Sequence, residues 1–203
     1  MREKEFRNLE RKQWEALTKG DHVALKQLYN RYQNSVFNYA RKFTEDQDLI
    51  ADCIQELFIY LWEKREILTI PDNPRSYILR SVRNNLIRLL SKASVNEEIE
   101  NPENYPFFVS LDSENQYVDQ EKRKEVVRKL NTALDQLTNR QREAVFLRFY
   151  EDLSFEEIAD TLNITTKACY KLIYRAIDVL KSVLPKGLIS LLFLIFRRPS
   201  TSF

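Results

Sequence analysis

The stretch from residue 137 to residue 180 constrains the fold of this chain more than any other. Ser154 and Glu157 have the S-x-x-E spacing of a capping box, and apolar residues follow at helical spacing, so a helix should begin at Ser154. Asn163 tolerates the left-handed backbone of a tight turn, and the tandem threonines after it can cap a second helix. The sequence therefore predicts a helix-turn-helix.

The second predicted helix has two chemically different faces. Small and aliphatic residues recur along one face, at Ala168, Cys169, Leu172, Ile173 and Ala176. The opposite face is basic and aromatic and has no acid before Asp178; it consists of Thr166, Lys167, Tyr170, Lys171, Tyr174 and Arg175. A helical hairpin in a core could carry such a solvated face. The cap, the turn and the missing acids together favour a helix that enters the DNA major groove.

Composition predicts an all-α protein. The 203 residues include only 2 glycines and 6 prolines, which leaves few places for tight β-hairpins. Long helix-forming stretches recur from one end to the other. This length can hold one large or two small domains.

Charge is strongly segregated along the chain, although the net charge is only +2. Residues 74–92 hold five bases and no acid, and residues 93–121 hold eight acids and no base. Residues 167–186 hold five bases and one acid. This alternation indicates two nucleic-acid faces separated by a segment with another role. We expect a helical domain at 1–92, an acidic flexible linker at 93–121, a helix-turn-helix domain at 122–186 and an apolar tail at 187–203.

Several classes of function are disfavoured by what the sequence lacks. Cys53 and Cys169 lie among apolar helix positions, which suggests buried free thiols of a reducing cytoplasm rather than a disulfide or a metal site. His22 is the single histidine, and nothing resembles a phosphate-binding glycine loop or a signal peptide. We therefore expect no enzyme, no catalytic residue, no cofactor and no metal.

Two predicted helices of the first domain carry polar stripes. The helix predicted over residues 46–66 is apolar over more than half of its surface and leaves a narrow stripe at Asp48, Asp52, Gln55, Glu56 and Glu63. Composition alone favours a merely solvated stripe. A second helix, over residues 74–92, begins with proline and can direct Arg75, Arg80, Arg83, Asn84, Arg88 and Lys92 towards phosphates or base edges.

Three pieces of the chain, in order, resemble the extracytoplasmic-function sigma factors, the small two-domain promoter-recognition subunits of bacterial RNA polymerase. The first, DLIADCIQELFIYLW, resembles the family's D-x-x-Q-[DE]-x-F helix through Asp52, Gln55, Glu56 and Phe58. The second, SYILRSVRN, resembles the family helix whose conserved part ends in Arg-Asn, here Arg83-Asn84. The third is the helix-turn-helix with the segment before it. The resemblance covers about residues 21–181.

The resemblance implies roles for individual residues. Asp52, Gln55 and Glu56 would dock on the clamp helices of the polymerase's largest subunit, so the acidic stripe becomes an interface. The loop at 68–73 with Asn84 would hold a base extruded from the melted downstream promoter element. The downstream element would be contacted by Arg80, Arg83, Asn84 and Arg88. The upstream element would be read by Thr166, Lys167, Tyr170, Lys171 and Arg175.

The implied function is that of a sigma factor, which directs core RNA polymerase to specific promoters and helps to open them. Its partners would be core polymerase, promoter DNA and an anti-sigma factor or other regulator. The alternative is a stand-alone helix-turn-helix regulator with a helical sensor domain, dimeric on paired half-sites. A membrane-anchored adaptor rests only on the apolar run at 188–196, whose nine residues are too short to span a bilayer. This run can instead pack within the protein, bind a regulator or lie in a membrane surface.

Overall fold

The structure, a computed structural model, describes residues 2–93, 105–109 and 120–190. In the first helix, side chains are described from Leu9 onwards. All regular secondary structure within these residues is helical, which confirms the all-α expectation. The chain separates into two compact units, Met1–Pro102 and Glu103–Phe203.

Within residues 2–93, the first unit consists of four helices: α1 (Arg2–Thr18), α2 (His22–Ala40), α3 (Gln47–Glu63) and α4 (Pro74–Ala93). Helices α2, α3 and α4 each pack against the other two, and α1 packs against α2. Their apolar stripes meet in one core that includes Trp14, Leu28, Val36, Tyr39, Ile50, Leu61, Ile78 and Leu86, all of them fully buried.

Local sequence signals set the helix starts in this unit. The carboxylate of Asp21 accepts a hydrogen bond from the backbone N–H of Val23 at 2.7 Å and so caps α2. Asp46 caps α3 in the same way, through the N–H of Leu49 at 3.0 Å. Pro74 is the first residue of α4, where its missing N–H costs no helical hydrogen bond.

Helix α1 is attached to the unit by buried polar and aromatic contacts. The Tyr32 hydroxyl of α2 donates a hydrogen bond to the buried Glu10 carboxylate of α1. Burial raises the pKa of Tyr32, and the Glu10 carboxylate raises it further. The rings of Trp14 and of Tyr77 in α4 pack edge to face, with their centroids 5.7 Å apart. These contacts orient α1 on the three-helix core.

The described part of the second unit includes the helices α5 (Gln120–Asp135), α6 (Asn139–Phe149), α7 (Phe155–Thr161) and α8 (Thr166–Val183). Helix α8 packs against α5, α6 and α7 and so lies at the centre of the unit. Residues 186–190 are again helical, and residues 191–203 lie outside the described part, as does most of the predicted apolar tail. The core includes Leu130, Leu134, Val145, Phe146, Leu147, Ile158, Ile173 and Leu180.

Residues 105–109, which we call the strap, are extended and belong to the second unit. Tyr105, Phe107 and Val109 are buried, whereas the intervening Phe108 is exposed. This alternation is that of an extended segment with one face on a core. The sequence analysis placed these five residues within the flexible linker, and the structure instead packs them on the helix-turn-helix unit. At its two ends the predicted linker overlaps helices, since Ala93 is the last residue of α4 and residues 120–121 begin α5. Residues 94–104 and 110–119 lie outside the described residues.

Candidate functional site

The helix-turn-helix forms as the sequence predicts. Ser154 and Glu157 make a reciprocal capping box at the start of α7, with N–H···O distances of 3.2 Å and 2.8 Å. Asn163 adopts the left-handed conformation (φ 52°) in the turn that follows α7. Thr165 caps α8 by accepting a hydrogen bond from the N–H of Ala168 at 3.2 Å.

The buried face of α8 fixes the orientation of its outer face. Cys169, Ile173, Ala176 and Leu180 are buried at helical spacing against the rest of the unit. Burial raises the pKa of the Cys169 thiol to about 11, so it stays neutral and acts as a small apolar group. Consequently the opposite face must point outwards, and its predicted DNA-contacting residues share one surface.

That outer face is basic, accessible and uncompensated. Lys167, Lys171 and Arg175 are exposed, and none makes a side-chain hydrogen bond or salt bridge within residues 124–190. Thr166 is half-buried at the first position of the helix, and Tyr170 is exposed beside Lys171. The structure therefore gathers all five predicted upstream-element residues on one side of α8. Cationic side chains without internal partners suit phosphate contact.

In the first unit, the predicted polymerase-binding residues lie along the exposed face of α3. Asp52, Gln55 and Glu56 are all exposed, while Cys53, Ile54 and Leu57 between them are buried. Asp52 and Gln55 make no side-chain hydrogen bond or salt bridge within residues 9–92. The stripe is thus available to a partner. The buried Cys53 thiol has its pKa raised to about 11, first by burial and then by the Glu56 and Asp52 carboxylates.

An open groove of about 680 Å³ lies beside this stripe, between α2 and α3. Gln55 and Glu63 line its polar edge. The remaining lining is mostly apolar and aromatic, and includes Leu25, Tyr29, Phe37, Ile54, Phe58, Ile59 and Trp62. Tyr29 and Ile59 remain exposed in it. Apolar groups next to carboxylates form a surface that suits an amphipathic helix with basic residues.

The structure corrects the expectation for one residue on α4. Arg83 was predicted to face the downstream DNA, but it is buried, with 7% of its surface exposed. Leu79 and Leu86, one turn before it and one turn after it, are buried on the same side of the helix. The buried face of α4 is therefore wide enough to include Arg83 together with Leu79 and Leu86.

The other three predicted residues of α4 form a continuous exposed stripe. Arg80, Asn84 and Arg88 recur every four residues, Asn84 and Arg88 are exposed, and Arg80 is partly exposed. Arg88 donates a hydrogen bond to the Asn85 side-chain oxygen at 2.5 Å, and Asn85 donates one to Glu56 of α3 at 3.1 Å. Glu56 therefore also helps to position the basic end of α4, which the sequence did not reveal.

Comparison with known proteins matches both units to one family. Residues 28–95 match sigma-70 region 2, and residues 127–179 match sigma-70 region 4. Together these matches span more than half of the chain, and they fall on the helices that carry the two candidate surfaces. This chain is an extracytoplasmic-function sigma factor. A sigma factor directs RNA polymerase to promoters.

The sigma factor is similar to individual relatives in both sequence and fold. It is 26% identical over 160 residues to RNA polymerase sigma factor SigV of Bacillus subtilis, which covers 76% of this chain and 87% of SigV. It shares its fold with CnrH, solved in complex with the cytosolic domain of CnrY, at 19% identity and a TM-score of 0.58, over 85% of this chain and 95% of CnrH.

A second structural relative is the sigma factor RpoE of Bartonella quintana, solved with the anti-sigma factor NepR. The identity is 19% and the TM-score 0.54, over 78% of this chain and 94% of RpoE. Among the described residues, no helix is long and apolar enough to cross a membrane. No group of three or more potential metal ligands occurs in that same part of the chain.

Proposed function

We propose that this sigma factor binds core polymerase through the exposed face of α3 and promoter DNA through the outer faces of α4 and α8. The observation that carries the polymerase assignment is the pairing of an unpartnered polar stripe, Asp52 and Gln55, with the adjoining apolar groove. A stripe that only keeps a helix soluble would need no such groove beside it. The polymerase-binding role expected of Glu56 is retained, together with its contact to Asn85.

The downstream promoter element is assigned to Arg80, Asn84 and Arg88. Two guanidinium groups separated by an amide match a phosphate backbone with one base-edge contact between the phosphates. Arg83 is left out because its side chain is buried. By resemblance to the family, the loop at 68–73 would hold an extruded base together with Asn84. Its residues before Pro74 are half-buried or exposed, which leaves them accessible to a strand.

The upstream element is assigned to Thr166, Lys167, Tyr170, Lys171 and Arg175 on α8. Each of the two DNA contacts is salt-sensitive and modest by itself, because phosphate binding releases counterions. When both contacts are made through one polymerase, the second becomes effectively intramolecular and the affinities multiply. Promoter selection then needs only binding, and no bond is made or broken by the sigma factor.

A regulator of this sigma factor is also part of the proposal. Two of its structural relatives were solved with protein partners, the cytosolic domain of CnrY and the anti-sigma factor NepR. We assign an anti-sigma factor or similar regulator to this chain by that likeness, and we place its action in the bacterial cytoplasm, where the promoters are. The alternative of a regulator with a helical sensor domain loses its basis, because the first unit matches sigma-70 region 2.

The test is the double variant Asp52→Arg with Gln55→Ala, measured for binding to purified core polymerase. Both side chains are exposed, so the helical circular-dichroism signal should be retained while polymerase binding falls at least tenfold. Glu45→Gln removes an equally exposed acid that precedes α3, and it should bind normally. Normal polymerase binding by the double variant would refute the assignment of this face.

A further inference from the structure

Three aromatic rings form a ladder across the helix-turn-helix. Phe155 of α7 stacks on Tyr170 of α8 with ring centroids 3.9 Å apart and planes 19° apart. Tyr174 continues the ladder from Tyr170, with centroids 6.3 Å apart and the same small angle between the planes. We call Phe155, Tyr170 and Tyr174 the aromatic ladder.

The inner end of the ladder is fixed by α6. The Arg148 guanidinium lies over the Phe155 ring, 5.2 Å from its centroid. Arg148 is itself held by a hydrogen bond to the carbonyl oxygen of Leu153 at 2.7 Å. Phe155 therefore has a defined position, and its stacking contact holds the Tyr170 ring in place as well. Rings that are already ordered lose little conformational freedom when they bind.

The outer end of the ladder is exposed on the basic face of α8. Tyr170 is 38% exposed and Tyr174 is 60% exposed. They lie one turn apart, interleaved with Lys167, Lys171 and Arg175. Residues 166–177 contain no acid, so this part of α8 contributes only positive charge around the two tyrosine rings. This charge favours DNA over an ordinary protein surface as the partner of the rings.

The chemistry of a tyrosine ring selects a particular feature of the major groove. Its apolar edge can contact the thymine C5-methyl group, which distinguishes thymine from the other three bases. The hydroxyl can additionally donate to a phosphate oxygen. The rings are 6.3 Å apart, close to twice the 3.4 Å rise between bases along one strand. Two rings can thus reach thymines within about two base-pair steps of each other.

We infer that Tyr174 and Tyr170 are specificity-determining residues of this sigma factor, and that they select thymines in the upstream element by contact with their methyl groups. Phe155 is a positioning residue that holds the Tyr170 ring and does not itself touch DNA. This inference rests on the proposed function of α8. It adds Tyr174, which the sequence analysis left outside its site, and it names the base that is read.

The experiment uses full-length protein loaded on core polymerase and a duplex library randomised in the upstream region. Sequencing the bound fraction gives the preferred upstream element. The wild type should enrich thymine at two nearby positions, and Tyr174→Ala should lose the enrichment at one of them. Tyr174→Phe should keep it, because the ring is retained. Val183→Ala, an exposed apolar residue on the same helix, should leave the motif unchanged.

Methyl removal then tests the contact directly. Deoxyuridine in place of each enriched thymine should weaken wild-type binding about fourfold, the value expected for one buried methyl group. At the position where Tyr174→Ala loses the thymine enrichment, the same replacement should not change DNA binding by the Tyr174→Ala variant. Phe155→Leu should reduce the loss of binding that deoxyuridine causes at the thymine contacted by Tyr170. Phe155→Tyr keeps a ring in the stack and should show the same loss as the wild type.

The outcomes separate this inference from the proposed function. Failure to load the polymerase, or to enrich any upstream sequence, would refute the function and the inference together. An enriched element without thymine, or one insensitive to methyl removal, would overturn the inference and leave the function standing. Reduced initiation by the tyrosine variants with unchanged sequence selection would also overturn it, because the rings would then contact polymerase.

Discussion

Arg142 donates a hydrogen bond from its guanidinium to the carbonyl oxygen of Phe107 at 2.9 Å, and this contact fastens the strap to α6. The same guanidinium donates to the carbonyl oxygens of Leu134 and Leu137 at 3.0 Å and 3.1 Å. One buried cation therefore joins the strap, the end of α5 and the turn before α6. Burial lowers the pKa of Arg142, which remains charged because an arginine pKa starts so high.

Replacing Arg142 should destabilise the second unit. Arg142→Ala leaves three carbonyl groups without this donor, and we expect the free energy of unfolding of the unit to fall by about 3 kcal/mol. Arg142→Lys should lower the free energy of unfolding by most of that amount as well, because an ammonium group cannot reproduce the several planar N–H donors of a guanidinium group. Amide hydrogen exchange of α6 in the full chain measures the loss. Arg128→Ala removes an exposed arginine of α5 and should have little effect.

Replacing either of two adjacent phenylalanines of the strap should have very different effects on the free energy of unfolding. Phe107 is fully buried, whereas Phe108 is 63% exposed. The Phe107 ring packs edge to face with Phe146 of α6, and the ring centroids are 5.8 Å apart. Phe107→Ala should lower the free energy of unfolding by about 3–4 kcal/mol through lost burial and a cavity. Phe108→Ala should change it by less than about 0.5 kcal/mol. Equal effects of the two variants in a denaturant titration would show that the strap is not packed as described.

The buried thiols should make stability fall at high pH. The pKa of Cys53 and of Cys169 is raised to about 11, and burial is the largest cause for both thiols. The folded state therefore favours the neutral thiol. Its contribution is complete below about pH 9 and is lost as pH rises towards 11. Thermal melts across this range should show a shallower decline for the double variant Cys53→Ala with Cys169→Ala. An identical decline would exclude the thiols as the cause.

Lys171 should contribute a phosphate contact to promoter binding. Lys171→Ala should weaken binding of the polymerase-bound protein to all upstream sequences alike, and should reduce the salt slope of binding by about one. The charge is exposed and has no partner within residues 124–190, so the fold should be unaffected. Lys129→Ala on α5 is the control, and it removes an exposed lysine that pairs with Glu125 at 2.7 Å. An unchanged slope for Lys171→Ala in a salt titration would remove this residue from the interface.

Arg175 can be distinguished from Lys171 by which upstream sequences bind less tightly after each residue is replaced by alanine. If its guanidinium reads a base edge, Arg175→Ala should relax selection at a single upstream position, at a cost of about 1–3 kcal/mol. The polymerase-bound complex should still form. Competition between matched and mismatched duplexes measures this discrimination. A uniform loss on every duplex would instead make Arg175 a phosphate contact.

The sequence by itself determined the elements whose causes are local. The capping box of Ser154 and Glu157, the left-handed turn at Asn163 and the threonine cap of α8 each depend on residues within a few positions of one another, so they could be predicted and are confirmed. The outer face of α8 followed from helical periodicity alone. The roles of its residues in promoter binding remain predictions.

Only the tertiary structure decided the features that depend on distant contacts. Arg83 is buried because the face of α4 that packs in the unit includes Leu79, and periodicity could not settle the width of that face. The strap looked like linker because its alternation of Tyr105, Phe107 and Val109 is short and lies among acids and prolines. Arg142 binds carbonyl groups up to 35 positions away in sequence, and no local pattern marks such a partner. Side chains that satisfy remote backbone groups become identifiable only when the fold brings those groups together.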